Sequence, residues 1–308
     1  MLLQIIPQIQ RGCRDYKRFI GTNFVEDQVG RSVYKLLESH DNILAGVGYW
    51  VAEISTQLYQ IEATERGKIK MAAMLFGIIM GNIDNITDMD NEKIVLTSET
   101  RANIVNHFLG LLTGVGQAKY HGNPYLHEIE LLSLKFHEIT GSNPRIDATL
   151  KNLADVVNRQ VLSPCAEKDS QYWLDIAKTT GGNTASMTLG FAQNFTSGTD
   201  TLDSAIFTIG SWLQVYDDIT DRYDDTRRGQ RTFATECSDL DLASIEKQYR
   251  EEVYNVISLL DREEKILLKR LLHAFRVMLW VNSKPTMRLM LGRRYPKSTT
   301  PSTNSAYS

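Results

Sequence analysis

Residues 206–225 read IFTIGSWLQVYDDITDRYDD, an apolar helical run that ends in five aspartates, Asp217, Asp218, Asp221, Asp224 and Asp225. Ile206, Gly210, Leu213, Asp217, Asp221 and Asp224 follow steps of three and four, so the core-facing stripe runs straight into the carboxylates. Steps of four also set Asp217, Asp221 and Asp225 on one face. Acids at a helix C-terminal end oppose the macrodipole, which makes a merely solvated helix end the poorer explanation. A buried carboxylate needs a metal ion or a cationic partner. The expectation is that Asp217, Asp221 and Asp225 are ligands for hard cations.

A second acidic cluster, Asp84-Asn85-Ile86-Thr87-Asp88, closes another apolar run, Met71 to Gly81. A calcium loop is excluded there, because Lys93 stands where the sharp turn needs glycine. Two such clusters facing each other would hold several Mg²⁺ ions and a polyanion such as diphosphate. Ala73, Gly77 and Gly81 lie on the face leading to Asp84, where small residues serve either a groove or close helix packing. Phe76, Ile79 and Met80, one to two turns before Asp84, are expected to floor a cavity. Tyr49, Trp50, Phe76, Phe191 and Trp212 are candidate aromatic walls for a carbocation, with plain core packing as the alternative. Cations that could grip a metal-bound diphosphate are Lys178, ahead of Thr179-Thr180-Gly181-Gly182, then Arg227, Arg228 and Arg231, and Arg293-Arg294-Tyr295.

Helical periodicity dominates the 308 residues, and alternating β-branched runs are nearly absent. Helices are expected over about 24–39, 42–62, 66–88, 98–120, 125–140, 146–162, 170–195 with a break near Gly181-Gly182, 200–222, 242–260 and 262–283. Without a linker or repeat, the chain reads as one all-α domain over residues 1–296, followed by a disordered polar tail at 297–308. A net charge of −3 speaks against nucleic acid as a partner. Three scattered cysteines suit a reduced, cytoplasmic setting, and the six histidines include no zincin-spaced pair. The longest apolar run is about half of the ~20 residues a membrane span requires, so it reads as a buried core helix. The N-terminus shows no signal-peptide pattern.

Leu213-Gln214-Val215-Tyr216-Asp217-Asp218-Ile219-Thr220-Asp221, with Asp225 and Gly229-Gln230 beyond it, resembles the second aspartate-rich motif of trans-isoprenyl diphosphate synthases. Asp84 to Asp88 resembles their first such motif with Asn85 at its middle position, Lys178-Thr179 their mid-chain Lys-Thr, and Gln160 their mid-chain glutamine. The resemblance covers about residues 40–235 and implies an all-α bundle around a central cavity. It also implies three Mg²⁺ ions on Asp84, Asp88, Asp217 and Asp221, an allylic prenyl diphosphate as substrate, and Lys178 as a diphosphate contact. A homodimer is compatible with it. The sequence departs from the family where isopentenyl diphosphate is gripped: Ala45 to Trp50 and Asn91 to Thr97 lack the basic motifs, and Gln230 replaces a lysine. Spacing of Asp217, Asp221 and Asp225, and the pair Arg294-Tyr295, are similar to features of microbial class I terpene cyclases. The expectation is therefore a class I terpene synthase that ionises one allylic diphosphate. A chain-elongating prenyl diphosphate synthase and a non-catalytic partner of one are the alternatives.

Overall fold

A helix with no polar face belongs inside a bundle, and residues 71–81 form one. Ala72, Ala73, Met74, Leu75, Phe76, Ile78 and Ile79 are wholly buried. The computed structural model describes residues 2–24, 42–87, 97–162, 169–195, 200–228, 232–237 and 239–282. Every regular element among them is helical, so the all-α expectation holds. In chain order these are α1 (Leu2–Asn23), α2 (Asn42–Leu58), α3 (Ala63–Thr87), α4 (Ser98–Leu112), α5 (Pro124–Thr140) and α6 (Pro144–Leu162). They are followed by α7 (Ser170–Thr188), α8 (Asp200–Arg228), α9 (Phe233–Glu236), α10 (Asp239–Ser258) and α11 (Arg262–Asn282), with a 3₁₀ turn η1 (Phe191–Phe195) between α7 and α8. Helix α3 is central, touching α1, α2, α4, α5 and α7, and α7 and α8 are the most extensively packed pair. No helix among the described residues is long and apolar enough to cross a membrane.

Caps and glycines fix most boundaries. The Asn123 side chain accepts from the N–H groups of Tyr125 and Leu126, both at 3.1 Å, and Pro124 opens α5. Asp169 caps α7 through the Tyr172 N–H at 2.9 Å. The helix expected to continue to residue 120 stops at Leu112, because Gly114 and Gly116 turn the chain with φ of 79° and 103°. The expected break at Gly181-Gly182 is absent, and α7 runs through both residues. These glycines serve a helix crossing instead. A Cβ on Gly181 would lie 2.4 Å from the Gly210 carbonyl oxygen, and one on Gly210 2.3 Å from the Gly181 carbonyl oxygen, so α7 and α8 touch backbone to backbone. Helix α1 was not anticipated, and residues 25–39 and the tail at 297–308 lie outside the described residues.

The same device joins the first three helices. A Cβ on Gly46 would meet the Ile9 carbonyl oxygen at 2.7 Å, and one on Gly48 the Ala73 carbonyl oxygen at 2.8 Å. The Ala73 backbone is therefore packed against α2. Gly46 and Gly48 form the seam between α1, α2 and α3, which accounts for two missing side chains in residues 45–50 without any ligand.

Candidate functional site

Gly181 meets Gly210 and Gln214, Gly182 meets Phe207, and the Ser211 hydroxyl donates to the Lys178 carbonyl at 2.8 Å. Residue numbers rise along α7 as they fall along α8, so the two helices run antiparallel. Lys178 on α7 stands opposite Ser211, between one and two turns before Asp217 along α8. Its ammonium lies over the ring of Tyr249 from α10, 4.9 Å from the centroid, with no carboxylate among the described residues pairing with it.

The inward face of α8 is rotated from the one the sequence suggests. Ile206 and Gly210 are buried, but Leu213, Asp217 and Asp221 are only half-buried. The buried stripe runs through Ile209, Trp212, Val215, Asp218 and Asp225. Asp218 accepts from the Gln214 amide at 3.0 Å. Burial pushes its carboxyl up, Gln214 pulls it down, the charges of Asp225 and Asp221 push it up again and the Phe233 N–H pulls it down, leaving it at about 7. The Thr232 hydroxyl donates to Asp225 at 3.4 Å, and Arg222 reaches the Cys237 carbonyl at 3.2 Å, tying the acidic end to α9. The acidic end of α8 is thus an inward concentration of negative charge in which one carboxyl keeps a proton near neutrality.

Among the described residues no group of three His, Cys, Asp or Glu side chains is gathered closely enough to hold a metal ion by itself. The charge of the α8 acids suits Mg²⁺, and completing a ligand set needs carboxylates from another element. Asp84 lies on α3 but its side chain, like those of Gln160 and Arg228, is outside the described residues, as are Asp88, Arg231, Arg294 and Tyr295. Arg227 is exposed. Phe76 is wholly buried, 6.0 Å from Phe136, which is 5.9 Å from Phe191, so Phe76 and Phe191, two of the five expected aromatics, belong to one continuous row. Trp212 is buried and stacked on Tyr216 at 5.5 Å, while Met80 and Tyr49 are half-buried, Tyr49 beneath the Lys70 ammonium at 5.1 Å.

Sequence reasoning passed over Asp218 as a site residue, although the three-residue steps Trp212, Val215, Asp218 marked its face. It missed Tyr249, for which no local pattern exists. It also missed a polar knot at Glu130 on α5. This wholly buried carboxylate accepts from His107 Nε2 at 2.7 Å, His127 Nδ1 at 3.2 Å and the N–H groups of Lys119 at 2.7 Å and Tyr120 at 3.0 Å. Comparison with protein-family models, with curated proteins and with solved structures finds no match to this chain.

Proposed function

We propose that the chain binds an allylic prenyl diphosphate through Mg²⁺ and ionises it, in the manner of a class I terpene synthase. The observation that carries this reading is the antiparallel crossing of α7 and α8, which packs the helix bearing Lys178 against the helix that ends in five aspartates. Asp217, Asp221 and Asp225, with Asp84 and Asp88, would hold the metal, which supplies Lewis-acid stabilisation of the departing diphosphate. Lys178 would donate to a diphosphate oxygen, a charge-assisted bond that strengthens as negative charge develops there. The Phe76–Phe136–Phe191 row and the Trp212–Tyr216 stack are apolar surfaces suited to keeping water from a cation.

Chain elongation fits less well, because Gly46 and Gly48 place residues 45–50 at a helix seam. The cations that do stand on α3 are engaged: Arg66 donates to the Ile61 carbonyl at 2.8 Å, Lys70 pairs with Glu53 and Lys68 lies 5.3 Å over the ring of Phe195. Lys70 is also about 21 Å along the helix from Asp84 at 1.5 Å per residue. The test is incubation with Mg²⁺ and allylic diphosphates of increasing length, with and without radiolabelled isopentenyl diphosphate. The expected result is inorganic diphosphate and a terpene hydrocarbon or alcohol from a single allylic substrate. Efficient incorporation of label into a longer prenyl diphosphate would replace this reading with elongation, and neither product with a non-catalytic partner.

A further inference from the structure

Helix α1 takes no part in the site proposed above, and its two faces differ. Tyr16, Phe19 and Ile20 are buried, and a Cβ on Gly12 would lie 2.9 Å from the Gly46 Cα, so one face is pressed onto α2. Arg11, Arg14, Lys17 and Arg18 are all exposed. At 3.6 residues per turn they fall within about 120° of one another, in a row roughly 10 Å long. Asp15, the one acid in the α1 sequence, is half-buried outside that arc. It stands four residues from Arg11 and three from Arg18, the spacings at which helix-borne charges ordinarily pair, and it pairs with neither. Among the described residues no ion pair or hydrogen bond engages any of the four cationic groups. The charge also stands apart from the rest of the molecule: α1 carries four cations and one acid, a net of +3 on a chain of net −3, which leaves −6 for everything else.

We infer that the exposed face of α1 is a docking surface for a lipid bilayer bearing anionic phospholipids. Four Lys or Arg side chains on one side of an amphipathic helix reach the density at which such a bilayer attracts a protein, each cation strengthening binding about fivefold. Two further features select this occupant. The same surface repels the −6 on the rest of the chain, so the molecule approaches with α1 foremost and is held in one orientation. The α1 sequence just ahead of the cations is Leu2-Leu3-Gln4-Ile5-Ile6, four apolar residues in five. A bilayer offers negative charge and an apolar interior side by side, which a water-soluble polyanion does not. Tyr16, Phe19 and Ile20 are already part of the protein core, so the middle of α1 has no apolar face to turn toward lipid. Attachment there is electrostatic, and salt reverses it. The inference uses no residue of the diphosphate site and stands or falls apart from it.

The experiment sediments the whole chain with vesicles of phosphatidylcholine alone and of phosphatidylcholine mixed with phosphatidylserine, at low and at high salt. The protein should pellet with the mixed vesicles, stay in solution with phosphatidylcholine, and leave the mixed vesicles as salt rises. Arg11→Gln/Arg14→Gln/Arg18→Gln should weaken binding roughly a hundredfold, at about fivefold per cation. Arg11→Lys/Arg14→Lys/Arg18→Lys keeps the charge and should bind within about threefold, since a headgroup layer responds to charge and not to guanidinium shape. Arg262→Gln/Lys269→Gln/Arg270→Gln removes equal charge from exposed positions on α11 and should also stay within about threefold. Unchanged circular dichroism keeps the comparison among folded proteins. Equal losses in the α1 and α11 glutamine variants would overturn the inference, because net charge and not the α1 face would then govern binding. Equal pelleting with phosphatidylcholine, or loss of binding in the lysine variant, would overturn it as well. Failure to pellet with the mixed vesicles overturns it outright; if the α1 glutamine variant then sediments more slowly than the unsubstituted protein in free solution, the face joins two copies of this chain instead.

Discussion

Glu130 and Asp218 are both buried carboxylates on helices, and their surroundings treat them in opposite ways. Burial pushes Glu130 up, but the Lys119 N–H, the His107 imidazole, the Tyr120 N–H and the His127 imidazole together outweigh it, and its carboxyl sits below the usual range. Asp218 also has donors, the Gln214 amide and the Phe233 N–H, yet Asp225 and Asp221 add like charge and it stays raised at about 7. Every lone pair of Glu130 that a helix-borne acid can readily offer is used internally, joining α4, the 113–123 connection and α5. Asp218 instead has the like charges of Asp225 and Asp221 beside it. A structural carboxylate is one whose neighbours satisfy it, and a candidate binding site is one whose neighbours leave the deficit in place.

The most severe test of that contrast is Asp217→Ala. If the deficit exists for Mg²⁺, diphosphate release should fall at least ~100-fold with the helical circular-dichroism signal unchanged, since a metal's stabilisation of the leaving group is worth several kcal/mol. Undiminished turnover would make the α8 acids as structural as Glu130. The converse substitution, Glu130→Ala, should cost about 2–4 kcal/mol in urea denaturation, because it strands two backbone N–H groups and two imidazoles, while leaving diphosphate binding intact.

Asp218→Asn sharpens the comparison through pH. A folded carboxyl raised to about 7 binds a proton that the unfolded one, near 3.8, has released. Its contribution to stability is therefore greatest below pH 3.8 and declines as pH rises through about 7. Glu130 has the opposite sign: its contribution is present above its unfolded pKa of 4.5 and is lost as pH falls through its lower folded value. Unfolding between pH 5 and 8 should show the metal-free protein weakening by about 2–3 kcal/mol, and Asp218→Asn should flatten that slope. An unchanged slope would place the titrating group elsewhere. Thr232→Val, which removes only a 3.4 Å bond to Asp225, should shift stability by less than about 1 kcal/mol.

What the sequence revealed followed from periodicity. The run Met71 to Gly81 announced a buried helix because burial on all sides erases the polar face, and the apolar stripe of 206–216 announced α8. The rotational phase of α8 was not legible, because it is set by contact with α7 at Gly210 and with α9 at Phe233, partners that no local pattern names. That phase decides why Asp218, and not Asp217, is the more buried of two adjacent aspartates. Glu130 was hidden for a similar reason: His107, Lys119, Tyr120 and His127 meet it only after Gly114 and Gly116 have turned the chain back. Gly181-Gly182 was misread because glycine signals both a weak point in a helix and a place where two helices can touch, and only the neighbour distinguishes them.

That crossing has a mechanical meaning. Where side chains interdigitate, helices can shift past each other by small rotamer changes; where the Gly181 and Gly210 backbones are in direct contact, no side chain is present to yield. Helices α7 and α8 cannot slide without first being lifted apart. The α7–α8 pair is therefore one stiff unit, and any relative movement of helices falls to the rest of the bundle.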